Sequence, residues 1–201
     1  MKKKAIYIVF FAALVLGFYF AISYAVPGFV NPKIPPIGTV NPFSFTNQNG
    51  QQVTNNDIKG KVVAVEYFFT TCTGICPRMN KNLRKIYDEY KEEKDFLILS
   101  HTCDPEVDSA ARLKRYADSL QVDTNKWVFV TGRKDSLYDM ARHSYKIDDP
   151  ANNLQNEKDD FLHTQFMAVV NKKGEVVGIY DGLKPSEMKE MGNKIEKLLK
   201  E

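Results

Sequence analysis

Val62-Val-Ala-Val-Glu-Tyr-Phe-Phe-Thr-Thr-Cys72-Thr-Gly-Ile-Cys76-Pro77 carries a very apolar run directly into two cysteines and a proline. β-Branched and aromatic side chains fill nearly every place from 62 to 69, which reads as a strand buried on both faces. Beyond Pro77, the residues Met79, Leu83, Ile86, Tyr87 and Tyr90 recur at helical spacing, and proline suits the first turn of a helix. The stretch is therefore a strand running into a helix, with both cysteines at the junction. Unpaired N–H groups and the positive dipole end of a helix favour an anion there, so a cysteine at this place is more readily a thiolate. The thiolate is the form that attacks disulfides and binds metals. Three intervening residues set the sulfurs about one helical turn apart, near enough to chelate one ion or to close a disulfide. Spacing does not choose between these, and a structural disulfide or two inert thiols are the plain alternatives.

Outward from this junction the elements alternate. Asn49-Gly50, between Phe43-Ser-Phe-Thr46 and Gln51-Gln-Val53, signals a hairpin with a type I′ turn. Further strands are expected at 96–100, 127–131, 166–170 and 176–180. Leu113, Tyr116, Ala117 and Leu120 mark one intervening helix, Leu137, Met140 and Ala141 another, and Met188, Met191, Ile195, Leu198 and Leu199 the last. Three strand–helix pairs, then a two-stranded hairpin and a final helix, give an α/β domain of thioredoxin-like order with an added N-terminal β-hairpin.

Residues 5–26 carry no charge and follow Lys2-Lys3-Lys4. At about 1.5 Å per residue this run reaches roughly 33 Å, against a hydrocarbon core of about 30 Å. The expectation is one transmembrane helix anchoring the protein through residues 5–26, with the lysines cytoplasmic and the domain facing the exported, periplasmic side of the inner membrane. Cleavage near Ser23-Tyr24-Ala25 is the alternative, although the run exceeds the usual signal-peptide core of about 7–15 residues. The chain has 28 basic and 25 acidic residues; removing Lys2, Lys3 and Lys4 leaves the exported part 25 against 25. Such a balance offers no electrostatic footprint for nucleic acid. Five of the nine prolines fall between 27 and 42 and read as a stiff spacer. The division expected is thus 1–26 anchor, 27–42 linker and 43–201 domain, whose length of about 160 residues suffices for a full core.

The polar, aperiodic stretch Lys146–Leu162 ends in His163, just before the strand expected at 166–170. Loops this long usually serve a function or are disordered. In a thioredoxin-like topology that strand edge lies beside the cysteine turn, and two thiolates with an imidazole form a soft three-coordinate set suited to copper. The same set could hold zinc with a water, but structural zinc sites usually take four protein ligands. Asp159 or Asp160 could orient the His163 ring, or both are solvated loop charges.

Cys72 and Cys76 with Pro77, the strip Asp104-Pro105-Glu106 with Asp108, and His163 ahead of the late strand together resemble the Sco/SenC family of membrane-anchored copper proteins. The resemblance covers roughly residues 35–200. It implies a thioredoxin fold in which Cys72, Cys76 and His163 bind Cu(I) or Cu(II), with the two thiols also able to cycle through a disulfide. It further implies as partner the copper-accepting subunit of cytochrome c oxidase, with a thiol reductant or another copper chaperone as further partners. Thioredoxins usually place two residues between the cysteines and a cis-proline before the late strand, where this chain has three residues and His163-Thr164-Gln165-Phe166. Peroxiredoxins want a threonine where Phe69 stands.

Two functions follow. A metallochaperone would hand copper to an oxidase subunit by exchange between soft donors. A thiol:disulfide oxidoreductase would keep the acceptor's cysteines reduced, and would need the two thiols but not His163. Cys103, where the family usually has an aliphatic residue, reads as a small buried hydrophobe, a third ligand or a resolving thiol. His101 shares that ambiguity, His143 reads as surface, and Asp104 is expected to cap or brace the turn beside the site.

Overall fold

The computed structural model describes residues 2–26, 29, 35–148, 161–162 and 164–201. Helix α1 spans Lys2–Ala25. Its stretch Lys3–Ala25 is long and apolar enough to cross a membrane, and large side chains from Ile6 to Phe20 are exposed around it, as contact with lipid requires. The chain divides into two units, residues 1–35 and 36–201.

In the second unit, β4 (Val62–Phe68), β5 (Phe96–Thr102) and β6 (Trp127–Thr131) pair in parallel. The hairpin of β7 (Phe166–Val170) and β8 (Glu175–Asp181) joins β4 antiparallel. On the other side the hairpin of β2 (Ser44–Asn47) and β3 (Gln52–Thr54) joins β6 antiparallel. With β1 (Gly38–Thr39) on β8, the order is β1-β8-β7-β4-β5-β6-β2-β3. A short helix, α2 (Asn55–Ile58), follows β3 behind a capping box of Thr54 and Asp57.

Every residue of β4 is buried, and the two-residue period of the strand divides them between two cores. Val63, Val65 and Tyr67 face Phe43, Phe45, Leu97, Leu99 and Leu137. Val62, Ala64 and Phe68 face helices α3 (Cys76–Tyr90), α4 (Ala110–Leu120) and α6 (Pro185–Leu199). On α3 the residues Met79, Leu83, Ile86, Tyr87 and Tyr90 are buried as their spacing predicts. Each such side chain contributes roughly 1.5–3 kcal/mol over its exposed state, so the start of α3 is held by its own apolar face. Helix α5 (Lys134–Asp139) ends in a π-helical turn, Met140–Ser144, closed by the Tyr145 N–H on the Met140 carbonyl (2.8 Å).

Two expectations need correction. The β2–β3 turn is not type I′, which requires positive φ at two central residues: Gly50 alone has it (78°), and its N–H donates to the Asn47 carbonyl at 2.9 Å. This is the three-residue loop ending in a left-handed residue. Asn47 sets it by accepting the Asn49 and Gln51 N–H groups on its side chain. Residues 36–42, expected as linker, belong to the second unit; Gly38 and Thr39 extend the sheet and Val40 is buried.

Candidate dithiol and metal site

Strand β4 delivers the chain to the C-terminal end of the sheet, where the turn 69–75 leads into α3. Ile75 precedes the helix without a side-chain cap, and no acidic residue occupies the first turn. The free N–H groups there are aimed at sulfur instead. Partial burial would raise the Cys72 thiol, but hydrogen bonds from the Cys76 thiol and from the N–H groups of Cys76, Gly74 and Ile75 outweigh it and hold Cys72 below its ordinary value. Cys76 is its opposite: burial, the thiol bond it gives to Cys72 and the charges of Cys72 and Glu66 push it up to about 12, against a hydrogen bond with the Phe69 backbone. The pair thus holds one half-buried sulfur poised to be anionic and one buried sulfur that keeps its proton. The two are adjacent, neither bridged to another cysteine.

Glu66, in the middle of β4 on the same face as Cys76, is completely buried. Trp127 Nε1–H donates to Ser100 Oγ (2.7 Å), whose hydroxyl donates to Glu66 Oε1 (2.5 Å). With its NH2 turned to Glu66, Asn80 on α3 donates to both carboxylate oxygens (2.9 and 3.1 Å) while its oxygen accepts from Tyr116 (2.6 Å). All these donors are neutral, and burial pushes Glu66 up to about 7, the Ser100 bond opposing. The sequence held one signal for this residue, a lone charge inside an apolar strand.

The late segment arrives at the same end. Strand β7 runs antiparallel to β4 with Ala168 opposite Val65, so its first residues stand beside the last residues of β4. The Phe161 ring meets Phe69, three residues before Cys72, edge to face at 5.1 Å. Leu162 is buried in the core that holds Tyr67, and Thr164 donates from its hydroxyl to the Ile147 carbonyl (2.7 Å). His163, Asp159 and Asp160 lie outside the described residues. Among the described residues, no three His, Cys, Asp or Glu side chains gather as a metal site.

The remaining candidates separate. Cys103 is buried in the core on the opposite face from Cys76, its carbonyl accepting from Tyr138 (2.8 Å) and its N–H donating to Phe68 (2.7 Å). Burial, then the charges of Cys76, Asp108, Glu66 and Cys72, raise its thiol well above the ordinary value. His101 lies on that same opposite face, stacked on Tyr67 at 4.8 Å and edge-on to Phe45, and burial pushes it down to about 3. It stays a neutral core residue. His143 is exposed. Asp104 braces the turn through its backbone, its carbonyl accepting from Val107 and Asp108; the side chain that braces is Asp108.

Residues 33–200 match the SCO1/SenC family. A curated relative, the SCO1 protein homolog of Bacillus subtilis, is 31% identical over 148 residues, 72% of this chain and 74% of its own. Among solved structures, BsSco, described as a Sco-family cytochrome c oxidase assembly protein with a disulfide switch, aligns with a TM-score of 0.68 at 27% identity over 83% of this chain and 96% of that one. Arabidopsis thaliana ScoI with copper bound aligns with a TM-score of 0.63 at 24% identity, covering 81% and 99%, and shows the shared fold.

Proposed function

Because the chain belongs to the SCO1/SenC family, we propose that it is a membrane-anchored copper carrier that matures the copper centre of cytochrome c oxidase. Cys72, Cys76 and His163 are the ligands in this reading. The observation that carries it is the adjacent sulfur pair at the start of α3, one of the two already favoured as thiolate by three backbone N–H groups. Soft sulfur donors suit copper in either oxidation state, and a third, imidazole donor completes a set that an acceptor's thiols could replace stepwise. The contact of Phe161 with Phe69 supports His163 as that third donor, since it ties the segment two residues ahead of the histidine to the cysteine turn. Copper supplies no chemistry beyond its own transfer here; it is cargo. Helix α1 would hold the domain at the inner membrane, with Lys2, Lys3 and Lys4 on the cytoplasmic side.

A second reading has its own support. A half-buried, low thiol beside a buried thiol that keeps its proton is the arrangement of a nucleophile and a resolving partner, and it suits a reductase of the acceptor's cysteines. The His163→Ala variant of the full chain in detergent separates the two. Metal analysis should show copper lost with the histidine while disulfide exchange persists; copper retained at one per chain in that variant would remove His163 from the site.

A further inference from the structure

Thr70 stands two residues ahead of Cys72, and three elements meet on it. Asp108, just before α4 and fully buried, accepts the Thr70 N–H on Oδ2 (3.0 Å) and the Thr70 hydroxyl on Oδ1. Its Oδ2 also accepts from the Thr102 hydroxyl at the end of β5 (2.6 Å). Arg112, in the first turn of α4, donates from Nε to Thr70 Oγ1 (2.6 Å) and lies 3.6 Å from Asp108 Oδ1. A buried carboxylate is costly unless donors and an opposite charge meet it; here both oxygens are taken, and the donors they take fix the cysteine turn. The N–H of Cys72 itself reaches only into that turn, to the Phe69 carbonyl at 3.1 Å. Thr70 is where the turn is tied to β5 and α4.

We propose that Asp108 is a positioning residue for Cys72, holding the turn 70–75 through Thr70 so that the Cys72 sulfur stays against Cys76. The inference rests on the reading of Cys72 and Cys76 as the working pair. It gives Asp108 no contact with a metal, because its oxygens are occupied by Thr70 and Thr102. Fixing one thiol against the other raises its effective concentration there, which favours any bond that joins them, disulfide or chelate. Loosening the turn then makes the disulfide easier to open and the chelate weaker.

The test is the dithiol–disulfide equilibrium of the full chain in detergent against glutathione, without copper, followed by Cu(II) titration and a thermal midpoint. Asp108→Asn keeps the size of the side chain but turns an NH2 toward donors. It should shift the equilibrium several-fold toward dithiol and weaken copper binding on the order of tenfold, the lower end for losing a group that orients ligands. Thr70→Val should do the same, and Thr70→Ser should restore parental values. Ile195→Val, buried in α6, supplies a destabilised control whose equilibrium stays parental. Asp108→Asn that loses stability like this control yet keeps the parental equilibrium overturns the proposal. If Asp108→Asn does not fold, Arg112→Gln must shift the equilibrium the same way, and no shift overturns it as well. Because the equilibrium is read without metal, a parent chain that holds no copper defeats the proposed function and not this inference.

Discussion

Cys76 and Cys103 lie at the same end of one sheet, at 4% and 2% exposure, but on its opposite faces. Each follows a strand of the parallel core, and burial raises both thiols. Around Cys76 stand a second sulfur, a helix start and the carboxyl of Glu66. Around Cys103 stand Tyr138, Tyr67 and aliphatic side chains. A buried thiol therefore acquires chemistry from the backbone it starts and the sulfur it faces. Burial alone makes it a small apolar residue.

The largest break in this comparison comes from Cys76→Ser, or equally Cys72→Ser. If Cys72, Cys76 and His163 are the proposed ligands, removing one leaves too few to hold Cu(II), so binding of one copper per chain and its thiolate absorption should both vanish. An unaltered visible spectrum in either variant would sink the site assignment. The difference between the thiols also shows in rate. In the reduced protein at neutral pH, iodoacetamide should label Cys72 first, with Cys76 and Cys103 reacting fully only after denaturation. Peptide mapping that finds Cys103 labelled alongside Cys72 would contradict its place in the core.

Much of this was legible beforehand, and for identifiable reasons. The 62–77 stretch announced its strand, its helix and the cysteines between them because hydrophobic period and a proline are local signals. The residues that steady the site were harder to read. Thr70, Thr102, Asp108 and Arg112 are far apart in sequence and meet only because β4 and β5 end side by side. Glu66 was visible as a charge out of place, but its partners Asn80, Ser100, Tyr116 and Trp127 come from four other elements. Strand β1 stayed hidden because two residues have no period and lie among prolines. Asn49-Gly50 correctly announced a hairpin, yet Asn47 draws the loop into a different turn.

Glu66 sharpens the contrast between the faces, since its carboxyl and its hydrogen-bond partners sit on the Cys76 side. Its carboxyl moves from an ordinary 4.5 to about 7 on folding. Between these values the unfolded chain loses the proton while the folded chain keeps it, so stability falls as pH rises through the window and the loss is complete above about 7. The groups facing Glu66 are Cys76 and Asn80 from α3, Tyr116 from α4, Ser100 from β5 and Trp127 from β6, and none carries positive charge. At about 1.4 kcal/mol per unit, the rise from 4.5 to about 7 corresponds to a cost of about 3.5 kcal/mol. Glu66→Gln should therefore gain stability over the parent at pH 8 and little at pH 4, measured by urea unfolding at both. An equal difference at the two values would mean that folding leaves the titration of Glu66 unshifted.

The smallest effect belongs to Cys103→Val. Valine is close in volume to cysteine, Cys103 belongs to the same buried cluster as Tyr67, Leu137 and Tyr138, and its sulfur has no hydrogen-bond partner among the described residues. The two hydrogen bonds at this position use backbone atoms, the N–H on the Phe68 carbonyl and the carbonyl accepting from Tyr138, and valine keeps both. A near volume-conserving swap should change stability by under about 1.5 kcal/mol. Copper stoichiometry and the glutathione equilibrium of the Cys72–Cys76 pair should stay parental, because the substitution lies across the sheet from both sulfurs. A shift of about 30 mV in that pair would already amount to 1.4 kcal/mol for a two-electron couple, well within reach of measurement. Such a shift, or a Cys103 bridge to Cys72 or Cys76 found by mass spectrometry of the oxidised native protein, would show that the two faces exchange thiols. The sheet would then no longer separate a working cysteine from a packing one.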